Sequence, residues 1–277
     1  MPDLENTLIA IQEALDAGDA LAAGKAYAKA GQVCLERNLY QDAARYYRES
    51  SNHFQAAGEQ PLLAKSLNHL GICLVMEKDP ESALELLEEA LHLVEACADP
   101  ALESAIQGNI GLAYNAAGNH QKAFQAHKQV LESAEDRGDQ PLRLNALINL
   151  ADSSLQQKNT TSAQGFALVA LDLAKSIDNY AGLALIYDLL GMISSRQGNL
   201  KDAAEYHQQA YLEAEKNDDL LRQGIALANK GLALEGLTEM EGALTAMSQA
   251  AELFTLLNSD YLEKTQRDIQ RVREGMT

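Results

Sequence analysis

The feature that most constrains this chain is a period. Gly31, Gly71, Gly111, Gly191 and Gly231 stand forty residues apart, with Ala151 in the one remaining slot. Twelve residues after each comes an alanine: Ala43, Ala83, Ala123, Ala163, Ala203 and Ala243. Seven further on stand Ser50, Ala90, Val130, Ala170, Ala210 and Ala250. Six copies held in register without insertion require a stack of like supersecondary units, each packed on its neighbours. Length alone would instead suggest one or two globular domains, and the period overrides that prior.

Each copy reads as helix A, turn, helix B, linker. Leu67, Leu70, Gly71 and Leu74 follow i, i+3, i+4, i+7 and make one apolar stripe on an A helix; Ala83, Leu87, Ala90 and Leu91 do the same on the B helix after it. In copy three the A helix is expected at 101–116 and the B helix at 120–137, with Gly118 ending the first in a left-handed turn and Asn119 capping the second. Asp79-Pro80 and Gly198-Asn199 carry the same punctuation, and the linkers Glu59-Gln60-Pro61, Asp99-Pro100, Gly138-Asp139-Gln140-Pro141, Asp178-Asn179 and Asp218-Asp219 restart the next helix. Residues 3–23 read as an extra helix with Leu4, Leu8, Ile11 and Leu15 on one side, and 259–274 as a terminal helix with Leu262, Ile269 and Val272 inward and a charged outer face. A wet outer face at its end keeps an open stack soluble.

The stretch Asn109-Ile110-Gly111-Leu112-Ala113-Tyr114 through Gly118-Asn119 to Ala123-Phe124 resembles a tetratricopeptide repeat (TPR), as do Leu70-Gly71 with Ala83, and Leu190-Gly191 with Gly198-Asn199 and Ala203. The resemblance covers about 24–258. Its forty-residue period is similar to the longer-helix subclass of LGN-type spindle adaptors, kinesin light chains and bacterial peptide-sensing regulators, and Asn-Leu/Ile-Gly/Ala at 109–111 and 149–151 looks most like the LGN type. It implies an all-α, right-handed superhelix of six repeats in a single solenoid over 1–277, with capping helices at 1–23 and 259–277. Departures from the pattern are Ala151, Ser154, Ser194, Lys230 and Thr238.

The family's A helices line a concave groove. Slots two, three and six before the repeat glycine, and one and four after it, are expected to face that groove. They hold Lys25, Lys65, Asn68, His69, Asn109, Asn115, Asn145, Asn149, Asp152, Asp188 and Asn229, with Ile72, Val75, Leu112, Ile148, Leu155, Leu185, Met192, Ile225 and Leu232 as apolar entries. Asn109, Asn149 and Asn229 share one slot. A carboxamide both donates and accepts, so such a row can hold an extended backbone without reading its sequence; it can equally bridge neighbouring helices. The aliphatic entries suit an amphipathic helix or apolar peptide, or pack on adjacent A helices. A chaperone-type carboxylate clamp is not expected, because only Lys25 and Lys65 are well placed for one.

Composition narrows the function. Lys plus Arg is 22 against Asp plus Glu at 40, a formal charge of −18, which disfavours nucleic acid and anionic membrane and would favour a basic partner. The start, Met1-Pro2-Asp3-Leu4-Glu5, does not read as a signal peptide, and Cys34, Cys73 and Cys97 form no CxxC pair, which suits reduced buried thiols and a cytoplasmic address. The six histidines are scattered without HExxH, and neither a phosphate loop nor GxSxG occurs. His127 and His207 share a helix-B slot and read as packing residues, while Glu88-Glu89 and Asp218-Asp219 read as solvated faces or caps. No catalysis, cofactor or metal is expected. The reading is a protein-interaction adaptor that takes a partner's peptide or helix in the groove, and replacing Asn109 and Asn149 by alanine is expected to weaken capture without unfolding. Alternatives are a peptide sensor acting through another protein, and a self-assembling homo-oligomer.

Overall fold

The computed structural model describes residues 4–95 and 99–276. Met1, Pro2, Asp3 and Cys97 lie outside the described residues. The described chain is helical throughout: α1 Leu4–Asp16, α2 Ala20–Glu36, α3 Tyr40–Ala57, α4 Gln60–Met76, α5 Pro80–Glu95, α6 Pro100–Ala116, α7 His120–Arg137, α8 Gln140–Gln156, α9 Thr160–Ser176, α10 Tyr180–Arg196, α11 Leu200–Lys216, α12 Leu220–Gly236, α13 Met240–Leu256 and α14 Tyr261–Gly275. Contacts group these into two compact bodies, Met1–Gly138 and Asp139–Thr277. The first A helix is α2, which starts ahead of residue 24, and the even-numbered helices from α2 to α12 are the A helices.

The turns keep an even stricter beat than the glycines. A residue with positive φ recurs every twenty positions: Gly18, Asn38, Gly58, Lys78, then Gly118, Gly138, Lys158, Asp178, Gly198, Asp218, Thr238 and Asn258. Each lets the chain fold back after a helix, and at most of them the following N–H closes on a carbonyl five residues earlier, as Asn119 does on Tyr114 at 2.8 Å and Glu239 on Leu234 at 2.9 Å. Asp19, Asp99, Asn119, Asp139, Asn159, Asn179 and Asp219 then cap the next helix through their side chains; Asn199 makes no such bond.

Packing follows from the small repeat positions. A side chain on Gly71 would strike Leu87, one on Gly111 would strike His127, and one on Gly191 would strike His207, its Cβ lying 2.6, 2.4 and 2.5 Å from the nearest atoms. Each glycine therefore makes room for the B-helix residue sixteen positions on. Copy four solves the same problem differently: Ala151 is matched by the small Ala167, and both are fully buried. Ser154 and Ser194, which stand in aromatic slots, are buried too, and Ser154 Oγ donates to the Leu150 carbonyl at 2.7 Å.

The first helix departs from expectation; the last does not. In α1 the inward residues are Thr7, Ile11 and Ala14, while Leu8 and Leu15 are exposed. The helix is rotated because it packs as a B-type helix, with Thr7 and Ala14 in the slots that Tyr47 and Phe54 occupy one copy later. In α14, Thr265, Ile269 and Val272 are buried, and Arg271 bridges outward to Glu235 and Asp268 at 2.7 and 2.6 Å.

Within each body, A helices also touch one another: α4 with α6 in the first, and α8 with α10 and α10 with α12 in the second, where α12 also meets the terminal α14. Among the described residues no B helix packs comparably on the next B helix. Each stack therefore closes toward its A helices, and their free faces form its inner side.

Candidate functional site

The inner faces separate into amides that hold the fold and amides that do not. Asn109 Nδ2 on α6 donates to Asn68 Oδ1 on α4 at 2.8 Å, and Asn68 is buried. Asn229 Nδ2 on α12 donates to Asp188 Oδ1 on α10 at 3.0 Å. Both bonds join residues forty-one positions apart, one A helix to the next. Asn145 and Asn149 on α8 have no side-chain hydrogen bond among the described residues; Asn145 is exposed and Asn149 half-buried. Two of the three asparagines in the shared slot are therefore helix-to-helix bridges, and Asn149 alone keeps its amide unspent. Replacing Asn109 would strand the buried Asn68 oxygen, so that half of the expected silent double substitution carries a stability cost of about 1–3 kcal/mol.

In the second body, Asn145 and Ile148 of α8, Leu185 of α10 and Arg222 of α12 line a cavity of about 280 Å³, together with Asn179, Gly182, Asn217 and Asp219. Arg222 is held by Asp219 at 3.2 Å, and Asn179 and Asn217 are engaged with backbone, so the cavity offers the neutral amide of Asn145, aliphatic walls and one paired cation. Leu112 is exposed on α6; Asp152 and Met192 are half-buried on their A helices, with Asp152 accepting from Gln156 at 3.1 Å. Leu155 is fully buried, which corrects its place among the groove residues: it packs in the core, and its carbonyl accepts from Arg196 Nη1 at 2.6 Å.

The first body presents different chemistry. Lys25 and Lys29 of α2 and Lys65 of α4 line a cavity of about 490 Å³ walled by Val33, Tyr47, Phe54 and Leu62. His69 stacks on Tyr47 with ring centroids 4.9 Å apart, and its Nδ1 donates to the Lys65 carbonyl at 2.7 Å. Lys29 was within reach of sequence reasoning: it occupies the Asn109 slot and follows Lys25 by four. Arg222 lies nine positions before its glycine, outside every groove offset, and nothing in the pattern signals it.

Two histidines lie behind these faces. His127 is fully buried against Gly111, and neither ring nitrogen has a hydrogen-bond partner among the described residues. Burial holds it neutral and pushes its pKa down to about 4. His207 sits over Gly191 in the same pose, but its Nδ1 donates to Asp188 at 2.7 Å. Cys34 and Cys73 are free and buried, and burial raises the Cys73 thiol to about 11, far from a nucleophile's range. No cluster of three or more His, Cys, Asp or Glu side chains is arranged to hold a metal among the described residues, and no described helix is long and apolar enough to cross a membrane.

A family model for the tetratricopeptide repeat matches residues 23–96 and 102–176, together more than half of the chain. No curated protein sequence is significantly similar. Among solved structures, BtubC (BKLC) from P. vanneervenii superposes with a TM-score of 0.62 at 20% identity, over 81% of this chain and 92% of that one. A Rap protein complexed with Competence and Sporulation Factor gives 0.70 at 13% identity, over 96% and 79%. Aspartyl phosphate phosphatase F from Bacillus subtilis gives 0.68 at 14% identity, over 99% and 76%. At such identities the likeness establishes the fold.

Proposed function

The chain belongs to the tetratricopeptide repeat family, and from that premise we propose that it is a protein-interaction module, not an enzyme, which holds a segment of another protein against its A helices. One observation carries the reading: the unspent amide of Asn145 shares a cavity with Ile148 and Leu185, and Asn149, four residues further along α8, is also unspent among the described residues. An extended peptide needs those two things at once. Its backbone groups require a donor and an acceptor when they leave water, and its side chains require apolar walls.

The test is Asn145→Ala with Asn149→Ala. Neither side chain supports another, so the melting curve should stay put. Capture of partners from the native host should fall, and calorimetry with a captured partner should show binding about tenfold weaker, as two lost hydrogen bonds imply. Unchanged affinity with an intact fold would remove these residues from the site. Asn109 and Asn229 serve as contrasts, since their loss acts first on stability.

A further inference from the structure

Resting on that reading, we infer that the face between α2 and α4 takes an internal acidic segment of a partner, one that also carries an aliphatic or aromatic side chain. The observation is a charge inversion. The chain carries a formal charge of −18, yet Lys25, Lys29 and Lys65 surround one cavity and no carboxylate pairs with any of them among the described residues. Glu36 lies on the same rim and is engaged by Gln32 at 3.1 Å. Two other lysines do pair with acids, Lys128 with Glu132 at 3.3 Å and Lys216 with Glu213 at 2.8 Å, but neither belongs to a cluster of three around one cavity.

Like charges crowded over an apolar wall oppose one another, and an anionic guest relieves them. The wall itself, Val33, Tyr47, Phe54 and Leu62, accepts a side chain of the same segment. The slots that hold Asn109 and Asn68 in later copies are Lys29 and Ala28 in α2. Recognition here therefore runs through side-chain carboxylates. It also departs from the expectation of a basic partner, because net charge reports the whole surface and this face is locally its opposite.

The test is display of random twelve-residue peptides, each followed by carrier protein so that no chain end is free, selected on the full chain and on Lys25→Gln/Lys29→Gln/Lys65→Gln. The expected survivors on the wild type combine Asp or Glu with an apolar residue. Three exposed charge contacts make their affinity for the triple variant about tenfold lower. Basic survivors, or acidic ones that bind the triple variant equally well, would overturn the inference. Survivors that ignore the lysines but are lost with Asn145→Ala/Asn149→Ala would overturn it while leaving the broader function standing. No survivors on either chain would overturn both. Salt-sensitive self-association abolished by the lysine changes would give the site to a second copy and overturn the partner assignment.

Discussion

His127 and His207 occupy one slot of the same repeat, eighty residues apart, and their chemistry is opposite. Each imidazole lies on a glycine of the preceding A helix. The difference comes from the residue three before that glycine. Beside His207 it is Asp188, which also accepts from Asn229. In the copy that holds His127 it is Gly108, which offers no side chain. The repeat frame thus dictates where the rings go, and a single A-helix position decides whether a ring is a satisfied polar group or a stranded one.

The comparison is broken most forcefully by pH. An unfolded histidine binds its proton near 6.5, whereas His127 in the fold holds off until about 4. Below 6.5 the unfolded chain therefore gains a proton that the native chain refuses. Stability from this residue is complete above 6.5, drains between 6.5 and 4, and is gone below, a total of about 3 kcal/mol. Urea titrations across that range, wild type against His127→Leu, should show this slope in the wild type alone. Leucine suits the slot, since Leu87 fills it in copy two.

Asp188→Ala ranks next. It leaves the His207 Nδ1–H and the Asn229 amide without their acceptor and should cost about 2 kcal/mol at neutral pH by urea unfolding. Gly108→Asp is the reciprocal change. A Cβ there meets nothing nearer than Val130 Cγ2 at 4.0 Å, so a carboxylate can be built toward His127. It should add about 1 kcal/mol and move the His127 NMR titration upward from 4. The smallest effect belongs to a turn. Thr238 holds φ at +64°, where the equivalent Gly198 rests at +82° without strain. Thr238→Gly should stabilise by somewhat under about 1 kcal/mol in thermal melts.

These contrasts mark what was legible in the sequence. The glycine beat, the caps and the turn residues are local signals, so the helices and their pairing could be read directly. Gly118 and Asn119 do what their residue types require. The faces were legible only as offsets from a glycine. Lys65 and Asn145 do line cavities, whereas Leu155 is buried, because an offset records direction and not how closely the next A helix approaches. The split of the asparagine row was hidden for a related reason. Whether an amide is spent depends on the residue forty-one positions away, Asn68 for Asn109 and Asp188 for Asn229, and no single repeat contains that pair. Likewise α1 looked amphipathic along Leu8 and Leu15, yet its inward side was set by the helix it meets.

The central claim is that partners are held on the A helices, and side-chain amide resonances test it most directly. As a captured partner peptide is added to the full chain, the Nδ2 signals of Asn145 and Asn149 should shift along the binding curve, while the Nε2 signals of Gln125 and Gln249, exposed on α7 and α13, stay fixed. Shifts at the two glutamines with the asparagines silent would place the partner on the B helices and contradict the account.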